Sequence, residues 1–180
     1  MVCSIKNISF KYWKYLPAFF LGIIICAGCV VFNKNLTKPL ILNKVTPMSY
    51  QTNIIKDTQE NEYFRRVLFT GKNSQLVVMN IPPGGEIGEE VHKYTEQTLF
   101  FLSGIGEAFL NDVKSPIGPG SVVVVVPGTK HNFINTGTQD LKVYTVYAPP
   151  NHIDGRIHKT KADADADVAD EAIGEVPPVK

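Results

Sequence analysis

The stretch GSVVVVVPGTKHNFIN, residues 120–135, says more about the fold of this 180-residue chain than any other. Five consecutive valines are followed by Pro127 and Gly128, and His131 comes three residues later. β-Branched residues that end at a Pro-Gly pair are typical of a β-strand followed by a turn. Because all five residues are apolar, we expect a strand that is buried on both faces or that lies at a tight interface.

The same pattern recurs on both sides of this stretch. Between residues 60 and 150, short runs rich in β-branched and aromatic residues alternate with turn signals built from Gly, Pro, Asn and Asp. Such spacing predicts an all-β sandwich or barrel. No segment in this part has the 3.6-residue periodicity of an amphipathic helix.

Two short segments of this part carry residues that can bind metal. In the first, Glu90 and His92 are two residues apart, so on a strand they face the same side. Gln97 follows shortly afterwards, and His131 lies in the valine-rich stretch.

The spacing of these residues resembles the two motifs of the cupin superfamily. The first motif matches at Gly84, Glu90, His92, Gln97 and Gly104, and the second at Gly120, Gly128, His131 and Asn135. The resemblance covers about residues 60–150 and is to small single-domain bacterial cupins with a type-2 conserved barrel. It implies a double-stranded β-helix, or jelly-roll barrel, over those residues, and a homodimer.

The resemblance also implies a metal site, with Glu90, His92, Gln97 and His131 as ligands. Glu90 stands where the family has its first histidine, and Gln97 where it has a glutamate. Two histidines and one carboxylate suit Fe(II) with open positions, or Mn or Zn, with Gln97 as a weak neutral oxygen ligand. The alternative is a hydrogen-bonded pocket without metal.

Two functions remain open on the sequence. One is a metal-dependent enzyme that acts on a small organic substrate, with dioxygenase- or isomerase-like chemistry. The other is a non-catalytic module that binds a small sugar or acid. The net charge of +1 argues against a nucleic-acid partner. The three cysteines, at positions 3, 26 and 29, all precede the barrel, which excludes a thiol nucleophile there.

The N-terminal region has the pattern of a membrane segment. Residues 1–15 are basic, and residues 16–32 are apolar and uncharged. As a helix these 17 residues would span about 26 Å, close to the thickness of a bilayer core. We expect a single-pass N-terminal anchor helix, with the barrel outside the cytoplasm. A cleaved signal peptide and a lipoprotein modified at Cys29 are the alternatives.

Outside the barrel and the anchor lie a polar connector, residues 33–59, and a C-terminal strap with an acidic tail, residues 151–180. His152 and His158 in the strap either reach over the barrel opening or lie on the surface. The acidic tail lacks the pattern of a calcium loop and is expected to be solvated or partly helical. Of Arg65 and Arg66, only one can face inward on a strand, and a surface role is favoured.

Overall fold

A computed structural model describes residues 49–177 and two short strands near the N-terminus, β1 (Ile25–Cys26) and β2 (Cys29–Val30). The chain divides into two units, Met1–Pro47 and Met48–Lys180. In the first unit, β1 pairs antiparallel with β2. Both strands lie within residues 16–32, where a helix was predicted, so the described residues of this range are not helical. The other residues of the range lie outside the described residues, so the anchor stays a prediction. No helix in the described part of the chain has the length and apolarity needed to cross a membrane.

The second unit is built mainly from short strands. Its elements, in chain order, are α1 (Ile54–Glu60), β3 (Arg65–Thr70), β4 (Gln75–Ile81), β5 (Glu90–Val91), β6 (Glu96–Ser103), β7 (Gly106–Leu110), β8 (Val113–Ile117), β9 (Val122–Val125), β10 (Lys130–Asn135), β11 (Leu141–Ala148), β12 (Ile157–His158), α2 (Lys161–Asp165) and α3 (Val168–Gly174).

These strands form two antiparallel sheets. One has the order β5-β10-β7-β8 and the other the order β12-β3-β4-β11-β6-β9. Neighbouring strands are often far apart in the sequence, as in β11, which lies between β4 and β6. Buried residues of both sheets pack into one hydrophobic core. This architecture confirms the prediction of an all-β domain.

Strand alternation decides which side chains enter the core. Along β11, every second residue is buried: Leu141, Val143, Thr145 and Tyr147. Strand β10 does the same and buries His131, Phe133 and Asn135. Because Phe133 is a core residue, His131 must face the interior of the domain as well. The sequence pattern therefore carries a histidine inward on the same face as the core.

The valine run is only partly buried. Strand β9 is the edge strand of the larger sheet and pairs with β6 on one side. Val125 is 1% exposed, whereas Val122, Val124 and Val126 are 52%, 51% and 53% exposed. The expectation of a strand buried on both faces was therefore wrong for this chain, because no described residue covers the face that carries Val122, Val124 and Val126.

The segments that flank the predicted barrel belong to the fold. Helix α1 begins within the predicted connector, ends one residue beyond it, and contacts β4, β6 and β11. Its N-terminus is capped by Asn53, whose side chain accepts a hydrogen bond from the N–H of Lys56. At the other end of the domain, β12 pairs with β3 and so extends the larger sheet. The folded unit is therefore longer than residues 60–150.

The C-terminal tail is partly helical, as expected. Helix α2 begins with a capping box formed by Thr160 and Asp163, and Asp167 caps the N-terminus of α3. The tail is not simply solvated, because Asp170 of α3 is 1% exposed. His152 and His158 are also buried, so neither lies on a surface strap.

Candidate metal centre

Strands β5 and β10 bring the two predicted motifs together. The antiparallel pairing of these strands places Glu90 directly opposite His131. His92 follows β5 and faces the same side as Glu90, in agreement with the two-residue spacing. Residues from the two motifs, about 40 positions apart in the sequence, therefore meet at one end of the smaller sheet.

The Glu90–His92–His131 cluster has the dimensions of a metal site. One ligand atom from each residue lies within 4.8 Å of the other two. Oε2 of Glu90 is 3.4 Å from Nε2 of His92 and 3.9 Å from Nε2 of His131. The two imidazole ring centres are 5.0 Å apart. These three side chains make only weak contacts with one another. Small movements of the side chains would bring their ligand atoms to about 2.0–2.2 Å from a cation placed among them.

The orientation of His131 suits a metal ligand. Its side chain is 0% exposed, and its Nδ1 lies 2.9 Å from the carbonyl oxygen of Thr129. Because a carbonyl only accepts, Nδ1 carries the proton and donates, which leaves the lone pair on Nε2. The Nε2 atoms of His92 and His131 make no hydrogen bond to any residue that the structure describes. A buried polar atom needs a partner, and a metal ion between the two rings would provide one for both nitrogens.

Gln97, the fourth predicted ligand, lies nearby on β6. Its Nε2 donates to the hydroxyl oxygen of Tyr147 at 2.9 Å, and its Oε1 has no hydrogen-bond partner among the described residues. The ring of Tyr147 lies edge-on to that of His92, with 5.8 Å between the ring centres. Burial raises the pKa of Tyr147, so its hydroxyl stays protonated.

The environment keeps His92 neutral. Burial, the neighbouring His131 and the cation Arg65 together lower the pKa of His92 to about 4. A neutral imidazole has the free lone pair that metal binding needs. At neutral pH no proton therefore has to be removed from His92 before it binds a cation.

This lowered pKa predicts a pH dependence for the metal-free protein. Between pH 6.5 and pH 4 the unfolded chain binds a proton at His92 that the folded chain does not bind, so stability rises with pH across this window. From pH 7 to pH 5 the loss attributable to His92 is about 2 kcal/mol. Urea unfolding in the presence of a chelator measures it.

The variant His92→Gln isolates this contribution. We expect it to lose less stability than the wild type between the two pH values. Some pH dependence remains in the variant, because burial also lowers the pKa of His152. Equal slopes for variant and wild type would contradict the assignment.

A cavity of about 240 Å³ lies over the cluster. Glu90 and His92 line it from the barrel, and His152 and Glu171 line it from the C-terminal segment. His152 therefore lies at the barrel opening, which is one of the two positions considered for it. His158 does not line the cavity and contacts Asp167 instead, at 3.1 Å.

Sequence reasoning missed two charged residues beside the cluster. Arg65 is 2% exposed, and its Nη2 lies 3.4 Å from Oε1 of Glu90, so the favoured surface role was wrong for Arg65. Arg66 is the exposed one of the pair. On the other side of the guanidinium, Oδ2 of Asp170, on α3, lies 3.7 Å from Nη1 of Arg65. The inward position of Arg65 was visible in the strand alternation, whereas nothing local to Asp170 indicated its contacts.

Other residues of the motifs have structural roles. Asn135 donates from Nδ2 to the carbonyl oxygens of Ile81 and Gln139, both at 2.8 Å, and so joins two loops. Lys93, in the turn between β5 and β6, pairs with Glu175 beyond α3. Tyr94 is 40% exposed.

Comparisons with known proteins show which family the chain belongs to. The cupin domain family model matches residues 77–147. The protein YrkC of Bacillus subtilis (strain 168) is 40% identical over 131 residues, 69% of this chain and 70% of that protein. Protein L612 of Acanthamoeba polyphaga mimivirus is 35% identical over 60% of this chain and 70% of its own length.

Solved structures show the same fold. The crystal structure of BH2720 from Bacillus halodurans is 36% identical and superposes with a TM-score of 0.65, covering 67% of this chain and 96% of that chain. A conserved protein with a double-stranded β-helix domain from Klebsiella pneumoniae is 24% identical, with a TM-score of 0.50 over 63% of this chain and all of its own. The family model matches the barrel, relatives of 36–40% identity share most of its length, and the two motifs meet at one cluster. The chain therefore belongs to the cupin superfamily.

Proposed function

We propose that this protein binds a divalent metal ion at Glu90, His92 and His131, with Gln97 as a fourth, neutral oxygen ligand, and that it acts on a small organic molecule in the cavity above. One observation carries the proposal. Three potential ligand atoms lie within 4.8 Å of one another, and the two imidazole nitrogens among them have no hydrogen-bond partner in the described residues.

The ligand types favour a metal with open coordination positions. Two imidazoles and one carboxylate, all from one side, are typical of Fe(II) sites, and Mn and Zn accept the same donors. Once bound, such an ion supplies Lewis acidity to an oxygen of the substrate. The protein contributes the fixed donors, since His131 is held by Thr129 and Gln97 by Tyr147.

Two groups on the cavity wall can carry a proton during a reaction. Burial and the negative charge of Glu90 raise the pKa of Glu171. Burial, partly offset by the hydrogen bond to Asp170, lowers the pKa of His152, which is therefore neutral at neutral pH. The raised pKa moves Glu171 towards neutrality, which suits a general acid, whereas the neutral imidazole of His152 can accept a proton as a general base. Glu171 and His152 face the same cavity as Glu90, so they are our candidates for proton transfer to and from a bound substrate.

Metal analysis of the purified chain tests the proposal. The full-length protein, produced with Fe, Mn and Zn available and purified without chelator, should hold about one equivalent of metal, since the described site offers one set of ligands. The loaded and chelator-treated forms are then screened against small sugars, hydroxy acids and diketones. A protein that takes up none of the three metals would overturn the proposal.

The second candidate function is non-catalytic binding of a small sugar or acid. The neutral Gln97, at a position where the family has a carboxylate, favours this non-catalytic function. Replacing a charged metal ligand by a weak neutral one changes the reactivity of the metal ion more than its ability to bind a small molecule. Calorimetric binding of a compound that the loaded protein then leaves unchanged would support this alternative over the enzyme.

We also propose that residues 16–32 anchor the chain in a membrane with the barrel outside the cytoplasm, because an uncharged apolar run of this length favours a bilayer over water. Membranes from cells that express the full-length protein should retain it after carbonate extraction. Release of the full-length chain into the supernatant would contradict the anchor, and cleavage before Cys29 would support a signal peptide or a lipoprotein instead.

A further inference from the structure

A buried arginine connects the Glu90–His92–His131 cluster to the C-terminal helix. The side chain of Arg65, on β3, is 3% exposed. Its Nη2 lies 3.4 Å from Oε1 of Glu90, and its Nη1 lies 3.7 Å from Oδ2 of Asp170 on α3. The guanidinium therefore lies between two carboxylates, one from the barrel and one from the tail.

Asp170 is held firmly in this position. Its carboxylate accepts a hydrogen bond from Nδ1 of His152 at 2.8 Å and from the N–H of Ile153 at 2.7 Å. Burial alone would raise the pKa of Asp170, but these hydrogen bonds and the charge of Arg65 lower it below its usual value. The carboxylate is therefore ionised at neutral pH, where it provides a full counter-charge for Arg65.

The two oxygens of Glu90 face different partners. Oε2 faces the imidazoles of His92 and His131, and Oε1 faces Arg65. A metal ion at the cluster and the guanidinium of Arg65 would therefore compete for the negative charge of the same carboxylate. A buried cation needs a counter-charge. Among the described residues, Arg65 forms ion pairs with Glu90 and Asp170. If Asp170 lost its charge, Glu90 would be the carboxylate left to balance the charge of Arg65.

We propose that Asp170 is a positioning residue of the metal centre, which acts through Arg65 to keep the carboxylate of Glu90 available to the cation. This inference rests on the proposed metal site and extends it to the C-terminal tail. Helix α3 then contributes to metal affinity without supplying a ligand. The electrostatic coupling is strong enough to matter because the side chains of Arg65 and Asp170 are only 3% and 1% exposed, and that of Glu90 is 23% exposed.

The variant Asp170→Asn tests the inference in the full-length protein. The amide keeps the shape and one accepting oxygen but removes the charge. We expect the affinity for Zn²⁺ and Mn²⁺, measured by competition with a chelating dye, to fall about 10-fold or more, the scale of changes in the groups around metal ligands. Wild-type affinity in this variant would overturn the inference.

A double variant separates the charge effect from a structural one. In Arg65→Met/Asp170→Asn, the cation that would otherwise draw on Glu90 is gone, so most of the lost affinity should return. Arg65→Met alone should bind metal at least as tightly as the wild type. If the double variant is as weak as Asp170→Asn, or if Arg65→Met is itself 10-fold weaker, then Asp170 does not act through the charge of Arg65. Arg65→Met also keeps the inference testable if Asp170→Asn does not fold.

Asp167→Asn is the matched control on the same helix. Asp167 caps α3 and pairs with Arg156 at 2.8 Å and with His158 at 3.1 Å. Asparagine is an equally good cap. We expect unchanged metal affinity, and a loss equal to that of Asp170→Asn would show that helix stability rather than charge is responsible. A wild-type chain that binds no metal would instead overturn the proposed function.

Discussion

Replacing His131 with alanine is expected to abolish stoichiometric metal binding. The substitution removes a ligand atom from a side chain that is 0% exposed and held by the carbonyl oxygen of Thr129. One imidazole, one carboxylate and the neutral Gln97 would remain, and His131 is the third member of the group of close His, Cys, Asp or Glu ligands found among the described residues. We expect the same result for His92→Ala, and a weakening of about 10-fold or more for Glu90→Gln.

His158→Ala is the control for these variants. His158 is also a buried histidine, 3% exposed, but its imidazole pairs with Asp167 and takes no part in the cluster. Its loss should leave the metal content unchanged although it creates a similar cavity. Metal is measured by mass spectrometry after gel filtration, and folding by circular dichroism. A His131→Ala protein that is folded and retains one equivalent of metal would contradict the assigned ligands.

Much of the fold and the centre of the site were predictable from local patterns. The two-residue period of a strand places Glu90 and His92 on one side, and the alternation along β10 turns His131 inward with Phe133. The short strands between turn signals predicted an all-β domain. These features follow from residues close together in the sequence, which is why spacing alone could reveal them.

The outer part of the site depends on contacts between distant segments. Arg65 meets Asp170 only because β12 pairs with β3 and α3 then returns to the barrel opening. No periodicity near Asp170 distinguishes it from the exposed acids around it. The valine run shows the same limit, since a run of apolar residues does not reveal whether its strand lies at the edge of a sheet.

Gly104, the last residue of the first motif, is predicted to matter for packing rather than for metal. It follows β6 and has a φ of +80°, which side chains rarely adopt. A Cβ at this position would lie 2.6 Å from the carbonyl oxygen of Asp140 and 2.8 Å from the Cα of Leu141. Both neighbours are backbone atoms at the start of β11, so they cannot move aside as a flexible side chain would.

Gly104→Ala should therefore cost about 2–5 kcal/mol of folding free energy, from ~1–2 kcal/mol of backbone strain and ~1–3 kcal/mol of steric overlap. Gly120→Ala is the matched control, because its φ is +85° but nothing lies within 4 Å of the added Cβ. It should cost only the backbone strain, ~1–2 kcal/mol. Urea unfolding of chelator-treated proteins compares the two without a contribution from bound metal.

Equal losses in the two glycine variants would show that conformation alone, and not the contact with β11, requires Gly104. A folded Gly104→Ala protein should still bind one equivalent of metal, because Gly104 lies at the far end of β6 from Gln97. Loss of metal together with stability would instead mean that the junction of β6 and β11 positions the ligands. The spacing of the first motif would then reflect the geometry of the site as well as that of the turn.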